Sequence, residues 1–75
     1  MTLTVKLIGP LIHSVGFSEK TIVLPEGSTT EAVLRTIVFP AERPRIITRN
    51  GRAVDPSESL AEGDRIVVSP LYSGG

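Results

Sequence analysis

Leu60-Ala61-Glu62-Gly63-Asp64-Arg65-Ile66-Val67-Val68-Ser69-Pro70-Leu71-Tyr72-Ser73-Gly74-Gly75 carries more information than any other part of this chain. Leu60 suits a core plug, and Glu62-Gly63-Asp64 suits a turn. Arg65 to Ser69 follows as a strand rich in β-branched residues. Its apolar positions are consecutive, which predicts a central strand covered on both faces. Pro70 ends it. Leu71 to Gly75 then form a short tail, so the chain divides into a domain over 1–70 and a tail over 71–75. Gly74 and Gly75 have no side chains and admit backbone conformations closed to other residues. They make the tail thin enough for a narrow channel in another protein. The expected working group is the α-carboxylate of Gly75, on a tether without side chains.

Upstream, Arg45-Ile46-Ile47-Thr48-Arg49 reads as a short strand. Asn50-Gly51 follows, a strong hairpin signal, because both residues tolerate the positive φ of a type I′ turn. Arg52-Ala53-Val54 is the return strand. Further back, Ser28-Thr29-Thr30-Glu31 has the form of a capping box, which predicts a helix from Thr29. Val33, Leu34, Ile37 and Val38 give that helix one apolar stripe, and Pro40 stops it near Phe39. Residues 2–8 alternate with Leu3, Val5 and Leu7 on one face, a half-buried strand. Gly9-Pro10 breaks it. Leu11 to Val15 is one turn of helix or a packed loop. Residues 17–24 form a second strand with Ile22 and Leu24 toward the core, ended by Pro25-Glu26-Gly27. Two strands, one main helix and then further strands define an α+β domain: one helix across a mixed sheet of four to five strands. The final strand could lie beside the first.

Composition narrows the function. At 75 residues this is one small domain, 40% hydrophobic and 21% charged. Eight basic residues balance eight acidic ones, unlike a nucleic-acid-binding surface. With no cysteine, thiolate metal sites, disulfides and cysteine nucleophiles are excluded. No apolar run is long enough to span a membrane. The N-terminus alternates like a strand rather than a signal peptide, so a cytoplasmic location is expected. His13 has no evident carboxylate or serine partner, and no glycine-rich loop has phosphate-cradling spacing. The acids serve caps and turns. An independent enzyme and a metal site are not expected; any chemistry would involve this chain as substrate or carrier.

The element order, the Arg49-Asn50-Gly51 to Val54 hairpin and the Leu60 to Gly75 ending together resemble the ThiS/MoaD family of ubiquitin-like β-grasp sulfur carriers. The resemblance covers essentially the whole chain. It is most specific in Leu60-x-x-Gly63-Asp64-x-Ile66 followed by Gly74-Gly75. The first loop is similar to molybdopterin-type members and the short link after the helix to thiamine-type members. The resemblance implies a mechanism. An activating enzyme of the ThiF/MoeB type binds the domain and uses ATP to adenylate the Gly75 carboxylate. A sulfur donor displaces AMP, and the resulting thiocarboxylate serves a sulfur-accepting synthase in thiamine- or molybdopterin-type cofactor biosynthesis. No cofactor is bound by the carrier itself. Two alternatives remain: a protein modifier joined through Gly75 to lysines, and a binding module with an inert tail.

Recognition is expected on the sheet face near the tail, with an apolar centre and a polar rim. Strand alternation turns one of Ile46 and Ile47 away from the helix. The expected partner-binding residues are Ile47, Val67, Leu71, Tyr72 and Ser73, with Arg49, Arg52 and Arg65 as rim charges that steer association. A monomer that forms transient heterocomplexes is expected.

Overall fold

The computed structural model describes residues 1–71. The elements in chain order are β1 (Thr2–Leu7), α1 (Leu11–Val15), β2 (Glu19–Val23), α2 (Thr30–Thr36), β3 (Arg45–Arg49), β4 (Arg52–Ala53) and β5 (Arg65–Pro70). The five strands form one sheet in the order β2-β1-β5-β3-β4. β5 runs parallel to β1 and antiparallel to β3. The first and last strands are therefore central neighbours, and the hairpin partners β2 and β4 form the edges.

Alternation sorts each strand into two faces. Leu3, Val5 and Leu7 on β1 are buried with Ile66 and Val68 on β5. Ile22, Ile47, Leu60 and Leu11 join them, and Val33, Leu34 and Ile37 cover the layer from the helical side. Among the described residues, the opposite face of the sheet carries no helix. β5 is central, but only one of its faces is covered: Ile66 and Val68 are buried, whereas Val67 points outward and is half-buried. The expectation of burial on both faces is corrected accordingly.

Local chemistry sets the ends of α2. The N-cap is Thr29, whose side chain accepts from the Ala32 amide at 3.4 Å. Ser28 does not cap; its hydroxyl donates to the Pro25 carbonyl at 2.7 Å. The expected capping box is thus replaced by a single threonine cap one residue later, which places Ala32 rather than Glu31 at the third helical position. The helix ends early, at Thr36, and Val38 lies outside the buried stripe. The Val38 amide bonds back to Arg35 and the Phe39 amide to Leu34, a Schellman closure. It sets Val38 at φ 58, 83% exposed, and folds Phe39 into the core instead. The β3–β4 turn is as expected, with Asn50 at φ 50 and Gly51 at φ 88.

Candidate functional site

β5 runs from the Asp64 turn to Pro70 and delivers the chain to the tail. Pro70 faces Arg45 across the β3–β5 pairing. Leu71, the last residue described, is 54% exposed. Tyr72, Ser73, Gly74 and Gly75 lie outside the described residues.

On the uncovered face, the register places Lys6, Val67 and Thr48 side by side on β1, β5 and β3, and Ile46 opposite Ser69. Ile46 is 43% exposed and Ile8 is 38% exposed. With half-buried Val67 and exposed Leu71 they form an apolar strip at the tail end of the sheet. Ile47 does not belong to it. It is 7% exposed and packs in the core, because its inward phase is shared with Ile66 and Val68. The isoleucine on the surface is Ile46. The alternation was legible in sequence; its phase depended on which residues the helix covers.

Arg49 also lies elsewhere than expected. It shares the helix-side phase of Ile47 and is paired with Ile66, near the start of β5 and away from the tail. Its Nε donates to Asp64 Oδ2 at 2.7 Å and its Nη1 to Glu58 Oε2 at 2.9 Å. Asp64 is buried and also accepts from the Ala61 amide at 2.7 Å and from Asn50 Nδ2 at 2.9 Å. Burial alone would raise the Asp64 carboxyl, but the Ala61 amide, the Asn50 side chain and Arg49 outweigh it and hold the group below the usual carboxylate range. The Glu58 carboxylate, followed by Asp64, pushes the Arg49 guanidinium up. The Asn50 side chain further accepts from the Arg65 amide at 2.9 Å. The Gly63-Asp64 part of the sequence signature is therefore a clamp joining the β3–β4 turn, the 55–64 loop and the start of β5.

Arg65 does lie on the outward face, at the end of β5 remote from the tail. It is exposed and paired with Glu19 at 3.1 Å. The structure thus brings together Val67, Leu71, Ile46 and Ile8, and separates them from Ile47, Arg49 and Arg65, and from Arg52, which pairs with Arg49 beside the β3–β4 turn. Ile8 could have been found from the continuing phase of Thr4 and Lys6. Among the described residues, no group of three or more His, Asp or Glu side chains could hold a metal ion, and no helix is long and apolar enough to cross a membrane.

A mixed sheet with parallel first and last strands, one main helix across one face and a tail leaving the central strand define the ubiquitin-like β-grasp class. The comparisons agree with this geometry. The model of the ThiS family matches residues 5–75, and the chain belongs to that family. Among solved structures, SAMP1 from Haloferax volcanii is 21% identical, with both chains fully covered and a TM-score of 0.87. A putative molybdopterin converting factor subunit 1 from Pyrococcus furiosus is 26% identical, with 96% of this chain and 99% of that one covered and a TM-score of 0.85. A chain of the complex of subunits 1 and 2 of the Helicobacter pylori molybdopterin-converting factor is 22% identical over all of both chains, with a TM-score of 0.68. No curated protein matches this chain by sequence.

Proposed function

We propose that this chain is a sulfur carrier without a catalytic site of its own, whose Gly75 carboxylate is adenylated by a partner enzyme and then converted to a thiocarboxylate. The observation that carries this reading is the family match, which continues past the folded sheet through Gly74 and Gly75. The apolar strip beside the tail exit supports it, since a partner that grips the tail meets that face first. A carboxylate is a poor electrophile. Attack of its oxygen on the α-phosphate of ATP forms the acyl-adenylate and releases pyrophosphate. A sulfur donor then adds at the acyl carbon and AMP departs.

The Helicobacter complex contains a second subunit, and by analogy a sulfur-accepting enzyme would dock on the same end of this domain. Conjugation to lysines is the second reading, favoured by the likeness to Haloferax volcanii SAMP1 and to a second solved chain from that organism, described as small archaeal modifier protein 1. Both readings need the same adenylate and differ only in the nucleophile that resolves it.

Intact-mass spectrometry of the chain incubated with an adenylating enzyme of the ThiF/MoeB type, ATP and a sulfur donor tests the proposal. The expected product has one oxygen of Gly75 replaced by sulfur. An isopeptide-linked product instead selects the modifier reading, and no change with any such enzyme leaves a binding module. Gly74→Val is expected to retain the parent melting temperature and lose adenylation, because a side chain there would clash in a snug channel. Adenylation at the parent rate would remove the threading argument.

A further inference from the structure

Charge is distributed unevenly in this net-neutral chain. Arg49, at the end of β3, is paired with Glu58 and Asp64, and Arg65, at the start of β5, with Glu19, whereas Arg35, Arg43 and Arg45 have no carboxylate partner among the described residues. These three converge on the end of the domain where the tail leaves. Arg45 opens β3 and faces Pro70 in the register. Its guanidinium lies 5.7 Å from the centre of the Phe39 ring and donates to the Ala41 carbonyl at 2.8 Å. Arg43 reaches back to the hydroxyl of Ser14, tying the loop after α2 to α1. Arg35 lies in the last turn of α2 and, with Arg45 and Phe39, lines a shallow depression. Two acids are near: Glu42 within the loop, and Glu31, which also lines the depression. The arginines still exceed them.

The geometry points to a cationic collar, Arg35, Arg43 and Arg45, that docks on acidic residues around the mouth of the partner channel receiving the tail. This rests on the proposed carrier reading and adds the chemistry of the partner surface. A channel that encloses residues 71–75 must bring its rim against the surroundings of Pro70. On the helical side those surroundings are this loop. Each guanidinium can meet a carboxylate with paired hydrogen bonds. The collar is distinct from the apolar strip, which lies on the other side of the sheet. It steers approach, while the strip supplies contact area.

Two measurements decide the inference. In the first, the full chain is titrated with hexaglutamate and followed by amide shifts, which needs no enzyme. Shifts are expected at 35, 43 and 45, and their loss is expected at high salt. Shifts that are as large at Arg52, which also has no carboxylate partner among the described residues but lies at the β3–β4 turn, overturn the collar. So does a response to pyrophosphate without a response to hexaglutamate, which would assign the arginines to nucleotide phosphates.

In the second, adenylation of the parent by the enzyme establishes the carrier reading separately. The double variant Arg35→Glu/Arg43→Glu is then expected to raise KM by about tenfold with kcat retained, and Arg52→Glu to leave both unchanged. An unaltered KM in a variant that melts like the parent overturns the inference. If the parent is not adenylated, the carrier reading fails and the titration alone decides the collar.

Discussion

At the scale of single residues, the structure assigns costs as well as contacts. Val38 is a β-branched residue in the left-handed region, at the Schellman position that glycine usually takes. That conformation costs a side chain about 1–2 kcal/mol, and the exposed valine gains no burial in return. Val38→Gly is therefore expected to raise stability by about 1 kcal/mol in urea unfolding; a lower midpoint would show that Val38 is not strained. Asp64 is the reverse case. Its carboxylate satisfies an arginine, an amide side chain and a backbone amide at once. Asp64→Asn is expected to cost about 2 kcal/mol, because Arg49 keeps only Glu58 as a carboxylate partner and the clamp loses its charge-assisted bonds.

The sign of the pH effect follows from the lowered carboxyl. Its contribution is fully present above the unfolded value of about 4 and is lost as the pH falls through the lower folded value. Asp64→Asn should flatten that acid limb; an unchanged limb would show that another group sets it. The Gly63-Asp64 motif was legible in the sequence as a turn. Its role as a clamp was not, because Arg49, Asn50 and Asp64 meet only when β3 pairs with β5.

At the scale of elements, every strand expected from alternation is present, with ends shifted by a residue or two. The helix was harder to bound, because two adjacent residues, Ser28 and Thr29, are both good caps. The choice is tertiary. Leu60 donates to the Ser28 carbonyl, Thr30 to that of Glu58 and Glu31 to that of Pro56. These bonds set the helix entry so that the Thr29 side chain meets Ala32. Thr29→Ala is expected to cost about 1 kcal/mol of unfolding free energy and Ser28→Ala less. Equal losses would mean that the two hydroxyls share the cap. The helix C-terminus was obscured for a related reason. Val33, Leu34, Ile37 and Val38 fit one stripe only if the helix continues, and the Schellman turn exchanges Val38 for Phe39 in the core.

For the whole molecule, the division between two sheet faces decides what stabilises and what binds. Ile46 and Ile47 are chemically identical neighbours with opposite duties. Ile47→Ala is expected to cost about 2–4 kcal/mol through lost burial and the cavity left behind. Ile46→Ala should cost under about 1 kcal/mol and instead raise the KM for adenylation. Equal destabilisation by the two would contradict the face assignment. The consecutive apolar residues of β5 suggested a strand covered twice. In the described domain the second cover is absent, and the carrier reading supplies it as a partner.

The parallel pairing of β1 with β5 also bears on the time at which this chain becomes competent. The strand that completes the core is the last of the five to be synthesised, and its neighbour is the first. No shorter nascent segment can close the sheet, so long-range closure waits for Arg65–Pro70 to clear the ribosome. The same six residues lead directly into the tail. An enzyme that requires a properly docked domain before it accepts the terminus would therefore read completion of folding.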